Sequence, residues 1–132
     1  TGTPTAITLP SIISTADSAS AGPGSDPNNA NTIGTTFEIL FIDNFTGTIK
    51  TASTDDKFVG AATVGITASV AGKQFQVSTG DNEVNLNGEA GSATTGGLKG
   101  SRIKFTAIAA NLYAVEGQLV GGGSIATPFD AQ

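Results

Sequence analysis

The alternation of apolar and polar residues predicts that this chain is built from short β-strands. In the segments 46–51, 57–70, 73–78 and 83–87, apolar residues alternate with polar ones or form short runs between turn-forming residues. The segment 37–42 (FEILFI) is largely apolar on both faces, which predicts a central strand covered on both sides. No segment sustains the helical spacing of apolar residues. The pattern therefore predicts an all-β protein.

The best-specified element is a hairpin formed by residues 102–108 and 112–120 around an Ala-Ala-Asn turn. Asn111, the last turn residue, tolerates the left-handed backbone conformation that such turns use. A three-residue turn pairs the last residue of the first segment with the first residue of the second. In this register Lys104 faces Glu116, which is a favourable cross-strand pair of opposite charges. We therefore expect these two residues to form a structural pair.

Short strands with frequent turn signals are typical of a few all-β architectures. We expect an antiparallel β-sandwich or jelly roll, or a small β-barrel, with long loops and extended N- and C-terminal arms. Residues 35–132 would form the main β-domain of a single-domain protein. Residues 15–34 are rich in Ser, Ala, Gly, Pro, Asp and Asn and predict a long flexible loop.

The first 14 residues combine two prolines with a short apolar stretch, which favours an extended conformation. Two alternatives remain open for them: an extended N-terminal arm on a partner, or an edge strand of the domain. The tail 124–132 is a second candidate arm. The residues expected to bind a partner through these arms are Ile7, Leu9, Ile12, Ile13, Pro128 and Phe129.

Composition narrows the classes of function. The 132 residues include no Cys and no His, which excludes thiolate chemistry and removes the commonest metal ligand and general base. The net charge of −5 argues against binding to nucleic acid or to an anionic membrane. No apolar run approaches the roughly 20 residues needed to span a bilayer. Neither nucleic acid nor membrane is therefore an expected partner.

Carboxylates are the remaining candidates for catalysis or metal binding. They are scattered over predicted turns and strand surfaces, where solvation explains them: Asp55, Asp56, Glu83, Glu89 and Glu116. The oxygen-rich segment 81–89 does not have the spacing of an EF-hand loop, and its alternating Val84 and Leu86 fit a strand better. The sequence thus predicts no catalytic residue, no cofactor and no metal site.

Glu38 is unusual because apolar residues surround it. A buried carboxylate at this position would need a cationic partner, for which Lys50, Arg102 and Lys104 are candidates. Alternatively, Glu38 lies at an edge and reaches solvent.

Several segments resemble small β-rich virion proteins of tailed bacteriophages. They are residues 100–105 (GSRIKF), 110–117 (ANLYAVEG) and 121–129 (GGGSIATPF), together with residues 7–10 (ITLP) and 57–60 (KFVG). Such proteins serve as capsid decoration (cement) proteins or as parts of virion fibres. The resemblance implies a β-rich scaffold that binds other virion subunits.

The function implied by this resemblance is non-enzymatic. We expect a protein that decorates and stabilises a bacteriophage capsid by binding the major capsid protein, as a homotrimer. It would be synthesised in the host cytoplasm and located on the capsid surface of the virion. Two alternatives remain. One is a receptor-binding or tail-fibre module that uses the loops 15–34 and 89–100. The other is a self-assembling extracellular filament subunit that adds a strand to a neighbour's sheet.

Overall fold

The computed structural model describes residues 5–12, 33–66 and 71–132, and these residues form β-strands and loops. The strands are β1 (Thr5–Leu9), β2 (Thr36–Leu40), β3 (Gly47–Thr51), β4 (Lys57–Ile66), β5 (Lys73–Gln76), β6 (Glu83–Leu86), β7 (Arg102–Ala109), β8 (Leu112–Gly121) and β9 (Phe129–Asp130). The all-β prediction is therefore confirmed. Within these described ranges there is no helix with the length and apolar character of a membrane span.

The strands form two sheets that remain open. One sheet has four strands in the order β1-β3-β6-β9, and the other has five in the order β2-β7-β8-β4-β5. Both sheets are mixed, because β1 pairs with β3 and β4 pairs with β8 in parallel. The other five strand pairs are antiparallel, as expected, and the sheets do not close into the small barrel that was the alternative. The parallel pair β4–β8 was not expected, because these strands are distant in sequence.

One hydrophobic core joins the two sheets into a β-sandwich. Ile49 and Val84 of the four-stranded sheet are completely buried, as are Phe105 and Val64 of the five-stranded sheet. The ring of Phe58 packs against Phe105 with the centroids 5.3 Å apart. Inward-facing residues alternate with outward-facing ones along each strand, as the pleat requires.

The β7–β8 hairpin has the predicted side-chain register. The pairs run from Ala107 opposite Tyr113 to Lys104 opposite Glu116. The turn differs from the prediction, because Ala109 pairs with Leu112 and a bulge lies between residues 107 and 109. The bulge adds one residue to β7, so the shorter turn still leads into the expected register. Asn111 has the positive φ (55°) expected of the turn.

The described part of each expected arm contributes one strand, and these strands pack on the chain's own core. β1 is an edge strand parallel to β3, and Leu9 and Ile12 are buried. β9 pairs with β6, and Pro128 and Phe129 are buried as well. The edge-strand alternative thus describes residues 5–9. The described part of the chain does not include residues 1–4 or residues 13–32. Ile13 and most of the expected loop therefore lie outside it.

β2 is an edge strand, not the central strand that its two apolar faces predicted. Its inward residues Phe37 and Ile39 pack against the core, but its outward face is open to solvent. Leu40 is consequently 59% exposed, and Ile42, just beyond the strand, is 81% exposed. These two residues do not serve packing within the described sandwich.

Candidate interaction surfaces

The outer edge of β2 carries backbone groups that have no partner strand in the described part of the chain. The N–H of Phe41 donates to the carbonyl of Ser101 (2.9 Å), and the N–H of Ala107 donates to the carbonyl of Thr35 (2.9 Å). Backbone groups alternate in direction along a strand, so the odd-numbered residues of β2 face β7 and the even-numbered residues 36, 38 and 40 face outward. No described strand pairs with this outer side.

The inner face of the same edge is incompletely covered. Phe37 and Ile39 are only half-buried, although they pack against the core. The centroid of the Phe37 ring lies 6.5 Å from that of Tyr113, which in turn packs against Phe58. A strand added beside β2 would satisfy the open backbone groups and cover these two side chains at the same time.

Three exposed apolar side chains lie near the turn of the β7–β8 hairpin. Ile33 is 53% exposed, and Val59 and Ile108 are each 44% exposed. The N–H of Gly34 donates to the carbonyl of Ala107 (2.6 Å), which places Ile33 beside the end of β7. We call these three side chains the hairpin-end patch.

The strand pairing of the five-stranded sheet determines where Val59 lies relative to Ile108. It lies opposite Ala114 of β8, which in turn lies opposite Thr106 of β7. Thr106 is two residues before Ile108, so Val59 and Ile108 occupy neighbouring rows. β8 lies between Val59 and Ile108, so the patch spreads over three strands; exposed apolar side chains on one part of a protein surface are candidates for a contact site.

A groove of about 530 Å³ crosses the outer face of the five-stranded sheet. One wall carries two ion pairs, in which Arg102 Nε lies 3.3 Å from Glu38 Oε1 and Lys104 contacts Glu116. The opposite wall includes the side-chain amide of Gln74. We call this surface, lined by these residues with Ala61, Thr63 and Gln118, the polar groove.

The position of Glu38 resolves the two alternatives drawn from the sequence. Glu38 lies on an edge strand with its side chain 50% exposed, and Arg102 is its ion-pair partner. Lys104 is its cross-strand neighbour. The carboxylate therefore reaches solvent and also has one of the cationic partners that were expected.

A buried polar cluster lies at the start of β4. Thr51, Asp56 and Asn82 are each 1% exposed. The side-chain N–H of Gln132 donates to Thr51 Oγ1 (3.0 Å), and the backbone N–H of Gln132 donates to Asn82 Oδ1 (2.8 Å). Asp56 Oδ2, in contrast, has no hydrogen-bond partner among the described residues.

Burial raises the pKa of Asp56 above its ordinary value, and the neighbouring charge of Asp55 raises it further. A hydrogen bond from the Ser11 side chain and the charge of Lys57 act in the opposite direction. The expectation that Asp56 is solvated was wrong, because the residue is buried. Asp56 lies two positions before the inward residue Phe58. Because alternate strand positions share a face, this spacing could have predicted that Asp56 is buried.

The other candidate carboxylates do not converge on one point. Asp55, Glu89 and Glu116 are exposed, and Glu83 is half-buried. In the described ranges no three acidic side chains lie close enough to hold a metal ion. Val84 and Leu86, in the oxygen-rich segment, are buried residues of β6.

Comparison of the chain with protein-family models, with curated proteins and with solved structures finds no match. Functional inference therefore depends on the surfaces of the sandwich itself. Among those surfaces, the β2 edge, the hairpin-end patch and the polar groove are the candidates.

Proposed function

We propose that this protein is a non-enzymatic structural component of a bacteriophage particle that decorates and stabilises the capsid by binding the major capsid protein. The observation that carries the proposal is the hairpin-end patch. Val59 and Ile108 lie on β4 and β7, inside the five-stranded sheet, and the backbone hydrogen bond from Gly34 to Ala107 holds Ile33 near the end of β7. A rigid apolar surface of this kind suits docking on a preformed shell, because little conformational entropy is lost when it binds.

The expected arm residues do not support the proposal. Leu9, Ile12, Pro128 and Phe129 have almost no exposed surface to offer a shell protein while they fill this chain's own core. Ile7 is half-buried and packs against the same core. We therefore assign the proposed capsid contact to the hairpin end of the five-stranded sheet and not to the termini.

The test is the copy number of this chain in purified particles, measured by quantitative mass spectrometry against the major shell protein. A decoration protein is expected in near-stoichiometric amounts. A complete absence from particles would refute the proposal.

A binding measurement then tests the hairpin-end patch. Ile108→Ser is expected to weaken co-sedimentation with shells that lack the protein, because it removes an exposed apolar side chain from the contact. The matched control is Ile42→Ser, which removes an exposed isoleucine outside the patch. Equal loss in both variants would contradict a contact at the hairpin end.

The polar groove favours a second candidate, a receptor-binding module of a tail fibre. The amide and charged side chains that line the groove supply hydrogen-bond donors and acceptors. These groups suit a polymer rich in hydroxyl groups on the host surface. A few copies per particle, together with cell binding that Gln118→Ala abolishes, would select this function over capsid decoration.

A further inference from the structure

The five-stranded sheet has a second open edge, formed by β5. The N–H of Val77 donates to the carbonyl of Gly60 (3.0 Å), so the odd-numbered residues at this edge face β4. The backbone N–H and C=O groups of Gln74 and Gln76 consequently face outward. No described strand pairs with this side of β5.

The inward residues of β5 are also incompletely covered. Phe75 and Val77 are half-buried and pack against the margin of the core. They occupy the same inner face of the sheet as Phe37 and Ile39 at the β2 edge. Each edge of the sheet therefore has backbone groups that no described strand pairs with, and two partly exposed apolar side chains.

The two edges have the relative direction that continuous pairing requires. β2 is antiparallel to β7, and β7 is antiparallel to β8. β8 is parallel to β4, which is antiparallel to β5. β2 and β5 therefore run in opposite directions. Two copies placed in the same orientation bring β5 of one beside β2 of the next as an antiparallel pair.

We propose that copies of this chain associate head to tail by pairing β2 of one with β5 of the next. Of the registers that align the outward backbone groups, the one that continues the cross-strand rows of the sheet places Glu38 opposite Gln76 and Leu40 opposite Gln74. On the inner face it places Ile39 against Phe75, and Phe37 against Val77. The added pair completes both open ladders and joins aromatic and aliphatic side chains across the junction.

Head-to-tail pairing fits the edges better than a two-fold β2–β2 contact. A two-fold pairing of complete β2 strands would place Glu38 opposite Glu38 of the second copy, and like charges directly opposite each other are unfavourable. Against β5, Glu38 faces the neutral amide of Gln76. Head-to-tail contacts close into a ring or continue as a filament, depending on the rotation between copies. The contact uses a different surface from the hairpin-end patch and goes beyond the proposed capsid binding.

Sedimentation velocity of the full chain over a range of concentrations tests this proposal. Glu38→Pro removes an outward N–H from β2, and Gln76→Pro removes one from β5, both at edge positions where proline is tolerated. Each variant alone is expected to be monomeric, since it has only one usable edge. An equimolar mixture is expected to form a heterodimer and nothing larger, because one β2 edge and one β5 edge remain open.

Other outcomes would overturn the proposal in distinguishable ways. Assembly of Gln76→Pro with loss of assembly in Glu38→Pro would indicate a two-fold β2 contact. A parent chain that stays monomeric at all concentrations would refute self-association, while the hairpin-end capsid contact would still be decided by its own binding test.

Charge substitutions provide a second test if a proline variant does not fold, as judged by circular dichroism. Leu40→Lys/Gln74→Lys places like charges opposite each other and is expected to weaken association by roughly tenfold. Leu40→Lys/Gln74→Glu is expected to restore it. Thr8→Lys adds the same charge to an exposed position on β1 and is the matched control. Equal association of the two double variants would overturn the predicted register.

Discussion

The hydroxyl group of Tyr113 donates a hydrogen bond to the carbonyl oxygen of Pro10, 103 positions earlier in the chain. Tyr113 is completely buried in the middle of the five-stranded sheet, whereas Pro10 directly follows the edge strand of the other sheet. The contact therefore fastens the N-terminal strand to the centre of the sandwich.

Removing this hydroxyl group should loosen the attachment of β1. Tyr113→Phe is expected to lower the free energy of unfolding by about 1 kcal/mol, the usual net contribution of one hydrogen bond. Urea denaturation measures the change. Thr36→Val is the control, because the Thr36 hydroxyl bonds to Thr106 at an exposed position (3.2 Å). A larger loss for the control than for Tyr113→Phe would contradict the fastening role.

Asp56 should make stability depend on pH in the direction opposite to an ordinary paired carboxylate. Because its pKa is raised in the folded state, its favourable contribution is complete below the unfolded pKa and is lost as the pH rises through the folded pKa. Asp56→Asn is therefore expected to stabilise the protein near neutral pH, with a smaller gain at acidic pH. Denaturation at several pH values tests this against Glu89→Gln at an exposed site. A destabilised Asp56→Asn at neutral pH would contradict the prediction.

Gly60 should tolerate no side chain. Its φ is +125°, and a Cβ atom there would collide with the carbonyl oxygen of Val115 on the neighbouring strand. Gly80 has a similar φ of +102° but open space around it. Gly80→Ala is expected to cost about 1–2 kcal/mol through backbone strain. Gly60→Ala should cost about 1–3 kcal/mol more, because the strand pair must also move apart. Equal thermal stability of the two variants would contradict the steric argument.

The Lys104–Glu116 ion pair should contribute little to stability. The two side chains are 39% and 66% exposed, so water and salt screen their attraction. A double-mutant cycle with Lys104→Gln and Glu116→Gln is expected to give a coupling free energy of about 0.2–1 kcal/mol that falls with added salt. Coupling that is large and insensitive to salt would show that the pair is more than a surface contact.

Local features of the fold were predictable from the sequence because neighbouring residues determine them. The side-chain register of the β7–β8 hairpin follows from the alternation of Phe105 and Lys104 and from their match with Val115 and Glu116, whereas the bulge near the turn was not predictable. The parallel pairing of β4 with β8 was not predictable, since alternation shows which face of a strand is buried but not which strand lies beside it.

The candidate surfaces likewise depend on contacts between distant segments, which the local sequence pattern does not reveal. A strand with two apolar faces, such as that containing Leu40, is compatible with a central position and also with an edge that binds a partner. Sequence alone does not separate these alternatives, and the predicted central position was wrong. The burial of the arm residues and of Asp56 was not predicted for a related reason: it depends on packing and pairing with segments that are distant in sequence, such as β6 for Phe129 and Ser11 for Asp56.

The parallel pairing of β4 with β8 has a consequence for how the chain folds during synthesis. These strands are separated by more than forty positions and occupy adjacent places inside the five-stranded sheet. Until β8 has left the ribosome, β4 and β7 both lack their shared neighbour, and the two halves of the sheet cannot join. A chain synthesised only as far as β7 consequently exposes strand edges that β8 covers in the sandwich, and the cooperative folding step is expected to wait for β8 and to be slow.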